Sequence, residues 1–218
     1  MEMRNQRGFT LAELIVGMGL SLAVLATVYG VFRSQTHTVK GQEKQLEAQE
    51  YALNVLDIMV REIRNTGYFP GGTACGGTAS TAGIIAADAA SLQIVYDSNA
   101  LGAACNELII AYAYNSTTKN ITRAVNGATA EPLTDANVTA FQLTYYPQQT
   151  SSTAPSPFCV ATGNPSGCSG TLSSNYSAVK KILVSITVQA KSNDVDFGGQ
   201  STITMSLNAD LRNHGLPS

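Results

Sequence analysis

The chain has no tryptophan, only two histidines and few charged residues. Charged side chains make up 13% of its 218 residues, and the formal net charge is −2 at pH 7. The sequence shows no basic stripe, so it does not predict direct binding to nucleic acid. His37 and His214 are too few for most metal sites, and we predict neither a metal nor another cofactor.

The sequence also lacks the short motifs that mark common catalytic sites. It contains no His-Glu-x-x-His, no Gly-x-Ser-x-Gly, no P-loop and no dinucleotide-binding glycine pattern. Asn193, Asp194 and Asp196 could offer oxygen ligands to Ca²⁺, but they lack the full ligand set of an EF-hand loop and are more typical of a hairpin turn. We therefore predict a protein that is not an enzyme.

Proline is absent from residues 9–66, and no charged residue stands between Glu13 and Arg33. This uncharged stretch has about the 20 apolar residues that a helix needs to cross a bilayer. A secretory signal peptide fits poorly, because the stretch is too long and ends in an unsuitable cleavage sequence at Phe32 and Arg33. A plain membrane anchor fits the length but leaves Glu13 unexplained, since ionisable residues at membrane depth usually have a functional partner.

The polar half of the same proline-free region keeps a helical pattern of apolar residues. The stripe consists of Leu46, Leu53, Leu56, Val60 and Ile63. Such spacing predicts an amphipathic helix that continues the membrane helix and packs its apolar face on a sheet. Asn65, Thr66 and Gly67 then predict the end of the helix, because glycine suits the left-handed C-terminal cap.

The remainder of the chain is rich in strand-like runs. They lie at residues 92–96, 108–114, 120–125, 138–146, 182–190 and 202–207. The last two runs alternate apolar and polar residues, which predicts an antiparallel sheet with one face on the helix and one in water. One long helix followed by such a sheet predicts an α+β fold. Residues 148–174, with several Pro, Ser and Thr, are predicted to form a long exposed loop.

Four cysteines are present, and none forms a Cys-x-x-Cys pair. In an exported domain this even number predicts disulfides, for which three pairings are possible. The turn-rich segment between Cys159 and Cys168 favours a bond between these two, and therefore a second bond between Cys75 and Cys105. The alternative is four unpaired, buried thiols.

The start of the chain, Arg-Gly-Phe-Thr-Leu-Ala-Glu-Leu at residues 7–14 followed by the apolar run, resembles the type IV prepilin signature. The resemblance implies cleavage between Gly8 and Phe9 by a prepilin peptidase on the cytoplasmic side, and N-methylation of the new Phe9 amine. It also implies that Glu13 pairs with the terminal amine of a neighbouring subunit, a role in assembly rather than in folding. The sequence departs from the family at Gly30, where many members carry a helix-breaking proline.

The same resemblance implies a division of the chain and a pilin fold, in which the long N-terminal helix packs on an antiparallel sheet. Residues 1–8 would be the leader, residues 9–36 the transmembrane and assembly helix, and residues 37–218 the periplasmic or extracellular globular domain. The protein is then expected in the bacterial inner membrane, crossing it once with a periplasmic head, and later in a pilus filament at the cell surface.

Residues 56–68, 133–145 and 203–213 are similar to PilW-type minor pilins. This second resemblance implies a non-catalytic minor pilin in the complex that primes pilus assembly or lies at the tip. Its partners would be other minor pilins, the major pilin and the inner-membrane assembly platform. Two alternatives remain, a J-type minor pseudopilin of a type II secretion system and a pilus-tip adhesive or ligand-binding module that uses residues 148–174.

Overall fold

The computed structural model describes residues 8–69, 83–99, 106–135, 137–149, 154–172, 176–190 and 202–211. Within these ranges the chain forms one α-helix, eight strands and a short 3-10 helix. The helix α1 spans Leu11–Arg64, and the 3-10 turn spans Tyr176–Ala178. The strands are β1 Ile84–Ala87, β2 Ser91–Asp97, β3 Glu107–Asn115, β4 Asn120–Val125, β5 Glu131–Pro132, β6 Val138–Pro147, β7 Val179–Gln189 and β8 Thr202–Asp210.

α1 dominates the molecule. Its 54 residues correspond to about 81 Å of helix at 1.5 Å per residue. The helix ends at Arg64, and Gly67 has a φ of +73°, as the sequence predicted for the segment after the helix. Gly67 donates its amide to the Val95 carbonyl, while Gly83 accepts from the Val95 amide. The end of the helix is thereby joined to β2 and to the residue that precedes β1.

The strands form two antiparallel sheets. One sheet has the order β1-β2-β3-β4-β5 and the other the order β6-β7-β8. The second half of α1 packs mainly on β7 and β8. The core between them contains Leu56, Met59 and Ile63 of the helix, together with Val184 and Ile186 of β7. The predicted α+β architecture of one long helix on antiparallel sheets is therefore confirmed.

The face of α1 that packs on the sheets differs from the predicted stripe. Leu56, Val60 and Ile63 are buried, but Leu46 is 59% exposed and Leu53 is 43% exposed. The buried face instead includes Ala48, Ala52, Val55 and Met59. At 100° per residue, Leu46 lies about 120° around the helix from Ala52. The expectation that Leu46 and Leu53 are buried is therefore wrong, and Ala48 and Ala52 take their place on the buried face.

All six predicted strand runs overlap observed strands, and two strands were missed. β1 and β5 were not predicted, because four residues and two residues are too short to show an alternating pattern. β7 begins three residues before the predicted start, at Val179, and β8 continues to Asp210. These extensions contain polar residues whose pairing is decided by the neighbouring strand and not by local sequence.

The predicted exposed loop at residues 148–174 is instead partly docked. Val160 and Leu172 are buried in its described part, residues 154–172. The structure contains a disulfide bond between Cys159 and Cys168, with Cα atoms 5.1 Å apart. The predicted Cys75–Cys105 bond and the turn at Asn193, Asp194 and Asp196 lie outside the described residues.

Residues 154–172, which contain the Cys159–Cys168 bond, form the disulfide loop. Asp88, at the turn between β1 and β2, connects this loop to both sheets. Its carboxylate accepts hydrogen bonds from the Thr162 amide (3.1 Å) and hydroxyl (2.7 Å), and its carbonyl accepts from the Tyr145 hydroxyl of β6 at 2.7 Å. Next to it, the Ala89 carbonyl accepts from the Leu143 amide at 2.8 Å. The disulfide loop thus covers the junction of the two sheets, which explains why its apolar residues are buried.

Candidate processing and assembly site

The predicted cleavage position lies just before α1. Gly8, Phe9 and Thr10 are not helical, and the helix begins at Leu11. Both Gly8 and Phe9 are exposed, and no atom from elsewhere in the described chain lies within 4 Å of the position that a Gly8 Cβ would take. The described part of the chain therefore leaves both residues of this peptide bond uncovered.

Glu13 and Thr10 form reciprocal hydrogen bonds across the first turn of the helix. The Thr10 hydroxyl accepts a hydrogen bond from the Glu13 amide at 3.3 Å. In return, the Glu13 carboxylate accepts from the Thr10 amide at 3.0 Å and from the Thr10 hydroxyl at 2.9 Å. This arrangement is a capping box, which satisfies amide groups that a helix start otherwise leaves unpaired. In the isolated chain, Glu13 therefore has a local role, which the Thr-x-x-Glu spacing before an apolar run could have predicted.

The apolar segment after Glu13 makes no contact that buries it within the described structure. One helix among the described residues, α1, is long and apolar enough to span a membrane, and its most apolar 18-residue window is wholly unburied. Its few polar side chains are satisfied locally, since the hydroxyls of Ser21 and Thr27 donate to the carbonyls of Gly17 and Val24. Such bonds lower the free-energy cost of placing a hydroxyl in an apolar medium.

An exposed row of apolar side chains continues past the charged boundary at Arg33. Phe32, Val39, Leu46 and Leu53 recur at intervals of seven residues, and each is exposed. A seven-residue repeat keeps its members on one side of a helix and is the spacing through which helices pack on each other. The apolar surface of the membrane segment is therefore extended along the soluble half of α1 as a narrow row.

Residues 3–29 match the family described as the prokaryotic N-terminal methylation motif. The chain carries this methylation motif. The matched residues include Gly8, Phe9, the capping box and most of the apolar segment of α1. The motif thus coincides with the exposed residues before α1 and with most of its unburied apolar segment, whereas residues 30–218, including both sheets, lie outside it.

Two further comparisons concern the whole chain. A type IV-like pilin from Thermus thermophilus superposes with a TM-score of 0.49 and 10% sequence identity, covering 76% of this chain and 95% of that protein. No curated protein matches the sequence of this chain at a significant level.

Sequence reasoning missed one charged cluster that lies away from the motif, where the end of α1 meets β3 and β4. The Glu62 carboxylate accepts two hydrogen bonds from Arg123, at 2.6 Å from Nη2 and 3.1 Å from Nε, and a third from the Tyr112 hydroxyl. Burial, followed by the neighbouring Glu62, raises the pKa of Tyr112. The hydrogen bond to Glu62 raises the pKa of Arg123. Glu62 and Arg123 stand 61 positions apart, so no local pattern could have paired them.

A polar cleft of about 290 Å³ lies at the side of α1 and is lined by Lys44, Glu47, Tyr51, Asp135 and Asn137, among others. Lys44 already binds Glu47 at 2.8 Å, and the Tyr51 hydroxyl accepts a hydrogen bond from the Asp135 amide. No group of three or more His, Cys, Asp or Glu side chains suited to a metal ion occurs in the described part of the chain. The cleft lies where α1 meets the segment that precedes β6.

Proposed function

We propose that this chain is a type IV pilin-like subunit that acts as a PilW-type minor pilin in pilus assembly. The observation that carries the proposal is the coincidence of the methylation motif with a helix whose apolar surface is not covered by the described part of its own globular domain. A helix of this kind needs either lipid or other helices around it. An anchor helix that is later transferred to a filament core is surrounded first by lipid and then by other helices.

The exposed, non-helical position of Gly8 and Phe9 before Leu11 supports processing at this point. A prepilin peptidase would cut the exposed bond between Gly8 and Phe9 and leave Phe9 as the first residue. The new α-amine, with a usual pKa of about 7.7–8.0, is largely cationic at neutral pH. Methylation of that amine keeps it basic.

Glu13 would then exchange partners during assembly. In the isolated chain its carboxylate is bound by Thr10. Inside a bundle of helices, the cationic Phe9 amine of a neighbouring subunit would offer a stronger, oppositely charged partner than a hydroxyl and an amide. The exchange aligns one subunit against the next, because the two groups meet at only one axial offset of the helices.

The exposed row at Phe32, Val39, Leu46 and Leu53 supports partners that pack helices against α1. Other minor pilins and the major pilin carry the complementary helices, and the inner-membrane assembly platform brings them together. The subunit waits in the inner membrane with residues 37–218 in the periplasm, and then enters the filament at the cell surface. No catalytic step is assigned to the chain itself.

Two substitutions of Glu13 separate its local and its intermolecular role. Glu13→Gln removes the charge but keeps the capping box, because glutamine serves equally at this position; Glu13→Ala removes both. We expect both variants to remain in the membrane fraction and to be absent from sheared filaments. Glu131→Ala, which removes an exposed carboxylate of the globular domain, serves as the control and is expected to enter filaments normally. Normal incorporation of Glu13→Gln would contradict the charge pairing.

A further inference from the structure

Among the described residues the two sheets have four edge strands, and three carry a feature that prevents pairing with a further strand. β1 is four residues long and irregular between Ile84 and Ala86. β5 has two residues, one of them Pro132. The outer edge of β6 is occupied, because Leu143 donates to the Ala89 carbonyl and Tyr145 accepts from the Phe158 amide.

β8 is the fourth edge strand and has none of these features. Its nine residues pair with β7 in continuous register from Thr202 to Asp210. It contains no proline, and its only charged residue is Asp210 at its end. Long, regular and uncharged edges are the ones that accept another strand, and natural proteins avoid them unless they are used.

The direction of the β8 backbone groups follows from the hydrogen bonds of β6. The Leu143 amide points away from β7, so its partner Val184 turns its own amide and carbonyl towards β8. Val184 pairs with Leu207, so the amide and carbonyl of Leu207 form hydrogen bonds with β7. By alternation, the even-numbered residues of β8 turn their amides and carbonyls outward, where they have no backbone partner among the described residues. The central ones are Thr204, Ser206 and Asn208.

The side chains of β8 indicate the kind of strand that fits beside it. Thr204, Ser206 and Asn208 are exposed and uncharged, so they neither repel nor require a charged neighbour. Met205 and Leu207 lie on the face towards α1, and Leu207 is still 37% exposed. An added strand with apolar residues on that face would cover Leu207 and extend the core, since directly opposed side chains stabilise a sheet.

A second copy of this chain does not fit as an antiparallel partner. Two β8 strands paired in this way are related by a two-fold axis perpendicular to the sheet. Because α1 packs along the face of the sheet, that axis would point the two helices in opposite directions. Two anchors that enter one membrane from the same side must point in the same direction. This step rests on the proposed function, since it takes α1 as a membrane anchor.

We propose that the outer edge of β8 docks an extended segment of a different protein subunit. The segment is about as long as β8, carries alternating apolar and uncharged polar side chains, and bonds to the outward amides and carbonyls of Thr204, Ser206 and Asn208. Docking by strand addition would hold the globular domain of this subunit to that of its neighbour. The contact is separate from the helix-to-helix packing of α1.

The test uses the full-length protein in detergent micelles and a synthetic peptide that copies residues 182–189, an uncharged stretch of β7 that already pairs with the inner edge of β8. Amide hydrogen exchange is measured at Thr204, Ser206 and Asn208 with and without the labelled peptide, and binding is measured by fluorescence anisotropy. We expect these amides to exchange rapidly in the free protein and about tenfold more slowly with bound peptide.

Two lysine variants locate the binding. Ser206→Lys places a charge on the β8 edge and is expected to weaken peptide binding about tenfold, since charged side chains block strand addition. Gln142→Lys places the same charge at an exposed position of β6, on the opposite edge of the sheet, and should bind as the wild type does. Equal weakening by both variants, or no binding to the wild type, would overturn the proposal.

Other occupants give distinct results, and each would also overturn it. Outward amides that are already protected in the free protein would show that another part of this chain fills the edge. A dimer in analytical ultracentrifugation that Ser206→Lys abolishes would assign the edge to a second copy. Neither readout requires processing or filaments, so a negative result here leaves the Glu13 experiment to decide the proposed function independently.

Discussion

Glu62 and Arg123 form a bidentate ion pair across the interface between the last turn of α1 and β4. The two hydrogen bonds measure 2.6 Å and 3.1 Å, and the side chains are 17% and 30% exposed. Parallel bonds of this kind fix geometry as well as attraction. They attach the five-stranded sheet to the helix, whereas the three-stranded sheet is attached mainly by apolar packing.

Arg123→Ala is expected to lower the free energy of unfolding of the globular domain by about 2 kcal/mol, because it leaves a partly buried carboxylate with one remaining partner, Tyr112. Arg61→Ala is the matched control. Arg61 binds Asp57 at 2.6 Å on the exposed face of the same helix, and exposed pairs of this kind contribute about 0.5 kcal/mol or less. Urea unfolding of the full-length protein in detergent measures both. Equal losses would show that the interface does not depend on the Glu62 pair.

Alkaline pH tests the burial of two tyrosines. Burial raises the pKa values of Tyr112 and Tyr145, and neighbouring carboxylates add to the effect. The folded state therefore keeps tyrosine protons that the unfolded chain releases near pH 10. The contribution of these tyrosines to the free energy of unfolding is fully present below about pH 10 and falls as the pH rises further. We expect a steep loss of the free energy of unfolding above that pH, and a shallower loss in Tyr112→Phe. An unchanged slope in that variant would contradict the assignment.

Gly83 tests the close contact at the end of α1. Its φ is +73°, and a Cβ there would overlap the Gly67 backbone nitrogen. Gly127 has nearly the same φ, +71°, but open space around it. Gly127→Ala should therefore cost only the backbone strain, about 1–2 kcal/mol, while Gly83→Ala adds an overlap and should cost about 3 kcal/mol or more. Similar thermal unfolding of the two variants would mean that the Gly67 contact is absent in solution.

The sequence allowed the helix, six strands and the order of the fold to be predicted, because long segments with regular periodicity carry their own signal. The buried face of α1 could not be predicted in the same way. Leu46 and Leu53 have the stronger apolar character, yet Ala48 and Ala52 are the buried residues, because tertiary packing and not side-chain hydrophobicity decides which face of the helix is covered. Likewise, Glu62 and Arg123 meet only after the chain has folded.

The candidate site was likewise predictable only in part from the sequence. Gly8, Phe9 and Glu13 were selected from the sequence because spacing along the chain defines the motif. The spacing of Thr10 and Glu13 before an apolar run is itself the sequence signature of a capping box and could have predicted their bond. The open edge of β8 depends on which strand lies last in its sheet, so it appears only in the three-dimensional arrangement.

The central claim is that this chain is processed as a prepilin and enters a filament. Mass spectrometry of filaments sheared from cells tests it most directly, because one spectrum reports both the terminus and the presence of the protein. We predict an N-terminal peptide that begins at Phe9 and carries one methyl group on its amine. A peptide that begins at Met1, or the absence of this chain from filaments while it is present in the membrane, would contradict the account.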